Sequence, residues 1–319
     1  MKNVLRIYRQ PEGHWVGDGF PVHTVLDYQR HPEVSPFLLL DHAGPADFPP
    51  AEKPRGVGWH PHRGFETVTV VLDGEVDHED TAGNGGRIGP GEVQWMTAGS
   101  GLLHKEMHSP EFTRRGGKFH ALQLWVNLPA KSKMVPPRYQ TLVSSRIPGV
   151  DGVRVIAGEY NGAQGVIRGP AQTFTPVNLF DVRLRAGQKL RLNLRDGYSG
   201  GLYIVSGRVS VNGQAASETE LVVLDHAGVE VQLEAASDAR VELLLVREGA
   251  DHEARRCPAC GRLSLDGSKC PLDGTQLEVS KDGLDLAVHQ TLAHGGRVWA
   301  VRHHDDLDAA GGIGALLRF

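Results

Sequence analysis

HPHRGFETVTVVLDGEVDHEDTAGNGGRIGPGEVQWMTAGSGLLHKEM, residues 60–107, decides how the rest of the chain is read. It opens on His-x-His and closes on His-x-Glu, with alternating apolar residues and glycine turns between them. Side chains two apart on a strand point to the same face. His60 with His62, and His104 with Glu106, can therefore each offer two ligands in one direction. On neighbouring strands the four converge as three imidazoles and a carboxylate. That set suits a divalent transition metal such as iron, nickel, copper, manganese, cobalt or zinc. A single histidine is most often a surface or hydrogen-bonded core residue, but two such pairs around a strand–turn–strand pattern are a stronger signal. Pro61 separates the first two histidines. Proline is expelled from central strands, so His60 and His62 are expected at a strand's beginning or a bulge.

Outward from this stretch the same texture continues. Thr67–Leu72 is β-branched and ends in the hairpin turn Asp73-Gly74. Turns follow at Gly83–Gly86 and Gly89–Gly91, and Val93–Met96 places Trp95 in a strand. Val4–Tyr8 and Phe37–Leu40 are strand-like pieces upstream. The pattern then recurs: Val71–Val76 (VLDGEV) resembles Ile204–Val209 (IVSGRV), an offset of 133, with alternating Leu190, Leu192 and Leu194 before it and the turn Asn212-Gly213 after it. By that offset His60 maps to Asn193, His62 to Arg195 and Glu66 to Ser199, and His226 is the one histidine between Ala121 and Asp251. The second half is expected to repeat the fold without the metal site. Leu128–Ile147, with Pro129, Pro136 and Pro137, reads as a linker between the halves. His14, His23, His31 and His42 lack pair spacing and are expected to be structural or surface residues. His78, His108 and His120 are left as open candidates for lining a pocket.

A chain of 319 residues allows two ordinary domains and an appendage. Its 40 glycines and 19 prolines fall between short apolar runs, as turns in an all-β architecture would. A formal charge of −4 gives no reason to expect a nucleic-acid or membrane surface. No apolar leader follows Met1-Lys2 and no run approaches membrane-spanning length, so a cytoplasmic protein is expected. The three cysteines lie within Cys257–Cys270, which argues against a disulfide scaffold.

The motifs GDGFPV (17–22), SPFLLLDHAGP (35–45), GVGWHPHRGFETVTVVLDGEVDHED (56–80), GPGEVQWMTAGSGLLHKEM (89–107) and QLWVNLPAKSKMVPPRYQ (123–140) resemble the metal-binding half of the pirin family within the cupin superfamily. They cover about residues 14–140, with weaker similarity to about 248. The resemblance implies two tandem cupin barrels: a metal-binding one at 1–132 and one without a metal site at 133–250. The implied ligands are His60, His62, His104 and Glu106. Glu66 stands where many other cupins carry a ligating glutamate; in the pirin pattern it does not ligate, and it is expected to support the ligands from behind. The family includes enzymes resembling quercetin 2,3-dioxygenase, which implies Fe(II), O₂ and a flavonol, with Glu106 as the base for the flavonol 3-hydroxyl. Trp59, Phe65 and Trp95 are candidates for an apolar pocket wall. The alternative implied by other pirins is a metal- or redox-sensing protein that binds a transcription factor or a metabolic enzyme.

Residues 251–319 are expected to depart from that family. RRCPACGRLSLDGSKCPLDGTQLEV (255–279) resembles a zinc ribbon whose fourth cysteine is replaced, with Cys257, Cys260, Cys270 and Asp273 as possible zinc ligands and His252 as a substitute for Asp273. A helical pattern at Leu284–Leu292, a strand-like Arg297–Val301 and the terminal GGIGALLRF follow. This α/β appendage resembles the end of the third domain of peptide-chain release factors. Only that end is present, so it implies no release activity and is read as an element for self-association or protein contact.

Overall fold

In a computed structural model of the chain, residues 1–163, 165–194, 197–247, 254–256, 258, 263–264, 269 and 274–280 are described. The first half consists of β1 (Val4–Tyr8), β2 (His14–Val16), β3 (Phe20–Asp27), β4 (Phe37–Phe48), β5 (Gly56–His62), β6 (Phe65–Asp73), β7 (Val76–Asp80), β8 (Gly85–Ile88), β9 (Val93–Thr97), β10 (Leu102–His108), β11 (Gly117–Asn127) and β12 (Arg138–Leu142). One sheet runs β12-β9-β6-β11-β4-β3-β2 and a second runs β5-β10-β7-β8. Their inward faces share a buried cluster that includes Phe20, Val71, Val76, Ile88 and Phe119, closing a barrel. Asp73-Gly74 turns β6 into β7 with Gly74 at φ +89°, where an added Cβ would lie 2.8 Å from Phe119.

The second half repeats the plan, as the 133-residue offset predicts. Tyr198–Ser206 takes the place of β6, and Lys189–Asn193, Glu230–Ala235, Arg208–Val211 and Gln214–Ser217 form the four-stranded sheet. Asn212 and Gly213 both have positive φ, as the expected hairpin turn requires. The interior is packed with aliphatic side chains such as Leu192, Leu202, Val211, Val231 and Leu233. The architecture is two cupin-type barrels in tandem.

The boundary expected at residue 132 does not follow the sheets. β12 lies beyond it yet pairs with β9 of the first barrel, while β1 pairs with Leu221–Leu224 of the second. The strand preceding each barrel thus completes the other one. Edge strands pair through backbone groups, so either edge can accept either strand. The exchange is locked by Lys2, which is buried and donates from Nζ to the carbonyls of Tyr198 (2.5 Å), Asp225 (3.1 Å) and His226 (2.7 Å). Lys2→Met, which strands those carbonyls, should cost about 2–3 kcal/mol in urea unfolding. An unchanged midpoint would show that the N-terminal strand is not held this way.

Both faces of β6 are covered, which is why it reads as a near-continuous apolar run. Val68, Val70 and Leu72 pack with Trp95, Leu122, Leu124, Tyr203, Val205 and Leu221 in one core shared by the two barrels. Polar links cross the same interface. Arg154, which also donates to Asp181 of its own barrel (3.0 Å), donates across it to the Gly91 carbonyl (2.7 Å). Tyr203 Oη lies 2.7 Å from His42 Nδ1, and His42 Nε2 lies 2.6 Å from His120 Nε2.

Residues 251–319 form a separate compact unit. Its described part is an antiparallel sheet of Leu263–Ser264, Ala254–Arg256 and Glu278–Ser280, with a bridge between Lys269 and Gln276. Cys257, Cys260, Cys270, Asp273 and His252 lie outside the described residues, as do the expected helix and the terminal run. No helix among the described residues is long and apolar enough to cross a membrane.

Candidate metal centre

β5 and β10 are antiparallel neighbours, and His60 sits directly opposite His104. The register slips next to them: Val57 faces Glu106, so Gly58 and Trp59 oppose Lys105 alone. This is the bulge expected beside Pro61. The histidines, however, lie at the end of β5 rather than its beginning, and β5 is a sheet edge, where a proline costs no ladder bond.

The ring nitrogens of His60, His62 and His104 lie within 4.8 Å of one another, and among the described residues no other group of three potential ligands gathers. His62 Nε2 and His104 Nε2 are 3.2 Å apart. Two nitrogens about 2.1 Å from one ion and roughly at right angles or tetrahedral would be about 3.0–3.4 Å apart, so the spacing fits a shared metal. His60 Nδ1 donates to the Gly58 carbonyl (2.8 Å), which leaves its Nε2 for the site. Burial, then the neighbouring histidines, push His62 down to about 3; burial, then His60, does the same to His104. Both imidazoles are therefore neutral at pH 7, the form that binds metal. The donor set and its spacing fit a transition ion.

Glu106 lies beside this trio, with Oε2 3.6 Å from His104 Nε2. Its contacts come from residues the sequence did not single out together. Gln123 Nε2 donates to both carboxylate oxygens (3.0 and 2.9 Å), and Thr69 Oγ1 donates to Oε1 (3.2 Å). His78 Nδ1 lies 3.3 Å from Oε1, so of the three open histidine candidates it is the one that reaches the site. His108 is enclosed by Phe20, Phe48, Phe112 and Phe119 and is bonded to the Gly19 carbonyl. His120 faces the other barrel through His42.

Three expectations need correcting, all for one reason. Alternation along a strand gives two faces but not which of them is inward. Glu66 takes the face of Val68, turned away from Glu106, and accepts from Thr97 Oγ1 (2.7 Å); it does not back the ligands. Trp95, paired with Val68, is fully buried in the core between the barrels and is no pocket wall. Trp59 points out of β5 and is 48% exposed beneath Lys105. Phe65 does reach the site, 5.1 Å from the His62 ring, and its partner is Trp125, 4.6 Å from Phe65 and 5.5 Å from His62. Tyr139, brought in by β12, packs with Met96, Ala98 and Leu102 on the inner face.

Comparison with known proteins agrees with this geometry. A family model described as Pirin matches residues 19–126, and one described as Pirin C-terminal cupin domain matches residues 179–253. A Pseudomonas aeruginosa protein bearing the name "Putative quercetin 2,3-dioxygenase" is 50% identical over 251 residues, covering 76% of this chain and 86% of its own length. Pirin of Homo sapiens is 38% identical over 238 residues, covering 72% and 77%. The crystal structure of quercetin 2,3-dioxygenase from Acinetobacter baumannii is 39% identical, with a TM-score of 0.74, and covers 92% of this chain and 98% of that one.

Proposed function

The chain belongs to the pirin family, and from that premise we propose that it is a metal-dependent dioxygenase, with iron(II) as the metal and flavonol-like hydroxylated aromatics and O₂ as its substrates. The observation that carries this reading is the convergence of three imidazoles beside one carboxylate inside a barrel. Iron bound by His60, His62, His104 and Glu106 would supply Lewis acidity and a one-electron couple for O₂. The chain's own groups do the rest. Glu106, with Oε2 turned toward the histidines, accepts the proton of the substrate hydroxyl. Phe65 and Trp125, their rings tilted 34° to each other, present an apolar surface to the aromatic ring and keep water from it.

Protein purified without added metal, then reconstituted anaerobically with iron, nickel, copper, manganese, cobalt or zinc, should take up O₂ and release carbon monoxide with quercetin. No turnover with any metal would remove the enzyme and leave the fold intact.

A second reading is favoured by the outer face of the same strands. Trp59 and Leu103, exposed on β5 and β10, back directly onto the ligand residues. A protein partner docking there would sense the metal through two strands. Trp59 fluorescence that is unchanged between metal-free, reduced and oxidised protein would count against it.

A further inference from the structure

Glu106 rests on a row of polar side chains that the fold does not need. Across the inner face of the large sheet, Gln94 pairs with Thr69, Thr69 with Gln123, and Gln123 with Asp41. At the same register positions the second barrel carries Val222, Leu202, Leu243 and Phe180 in sequence across its strands. One backbone plan thus holds the row in apolar form where no acid is present and in polar form where Glu106 lies over it. Burying polar groups costs stability unless they find partners, and the Gln94 amide has none of good geometry. A row kept polar at that cost serves the site rather than the core.

The contacts on Glu106 are uneven. Oε1 receives the Thr69 hydroxyl and shares the Gln123 amide, with His78 alongside. Oε2 meets only that amide before facing His104. We propose that Gln123 and Thr69 are positioning residues: the Gln123 amide bridges both oxygens of Glu106, Thr69 holds Oε1 back, and Oε2 is the oxygen presented to the metal and the substrate. The inference rests on the proposed metal site and adds to it a specific consequence: the carboxylate ligates through one oxygen, which keeps coordination positions open for substrate and O₂.

The test follows from the sister barrel. Gln123→Leu installs the residue type found at the matching position, and Thr69→Val removes the hydroxyl at nearly constant shape; Thr69→Ser restores it. The probe is cobalt(II), added anaerobically to the full chain, read by competition titration and by its visible absorption. Gln123→Leu and Thr69→Val should each weaken binding about 10–100-fold. Their absorption should also change in intensity, because an untethered carboxylate can ligate through both oxygens; Thr69→Ser should return the parent spectrum. Folded variants that bind cobalt with parent affinity and parent spectrum would overturn the tether while leaving the metal site standing. A parent chain that binds no cobalt, nor any other ion of the series, would overturn both.

Discussion

His104→Ala is expected to lower metal affinity by more than about 100-fold and to abolish O₂ uptake with quercetin. His104 occupies the middle of the site: its Nε2 is 3.2 Å from His62 Nε2 and 3.6 Å from Glu106 Oε2. Loss of a group that merely supports a ligand costs about 10–100-fold, so loss of the central ligand should exceed that. The side chain is also almost wholly buried, so solvent cannot simply fill its role without disturbing its neighbours. Chelator competition on the parent and the variant measures the loss. His226→Ala is the control, since His226 is exposed in the second barrel and should bind as the parent does. Parent-like affinity in His104→Ala would mean that the trio is not the metal site. Metal bound by the parent should also raise its unfolding free energy by about 3–4 kcal/mol at 100–1,000 times Kd, and His104→Ala should lose that increment.

Acid should unfold the chain early, through the histidine pair between the barrels. Burial, then His120 and His23, lower His42 to about 3; burial, partly offset by Asp73 and reinforced by Arg240 and Lys118, lowers His120 to about 4. In the unfolded chain both titrate near 6.5. Above that pH both states are neutral and stability is full. As pH falls from 6.5 toward 4 the unfolded chain takes up protons that the folded chain refuses, so stability is lost. Two such groups lose about 2.7 kcal/mol per pH unit, or roughly 5 kcal/mol between pH 6.5 and 4.5, a large part of the total for a typical domain. Their close approach, 2.6 Å between ring nitrogens, leaves no room for two cations. Urea midpoints measured from pH 7.5 to 4.5 should fall steeply for the parent and less steeply for a His42→Gln/His120→Gln double variant. Equal slopes would place the acid sensitivity elsewhere, among His62, His78, His104 and His108.

Much of this was open to a reader of the chain alone. Dipeptide spacing put His60 with His62 and His104 with Glu106, and the register of β5 on β10 brings the two pairs together. The 133-residue offset placed Tyr198–Ser206 on β6. Period and turn chemistry are local, and local rules are written in consecutive residues.

What the tertiary structure alone decided is which face of each strand looks inward and which distant strands lie side by side. β6 and β9 are covered on both faces, so hydrophobicity could not tell Trp95 from a pocket wall or Glu66 from a supporting acid. Thr69, His78 and Gln123 meet Glu106 across three strands, from positions no spacing rule connects. The exchange of β1 and β12 between barrels was equally hidden, because sheet edges are joined by backbone hydrogen bonds that every residue but proline can make.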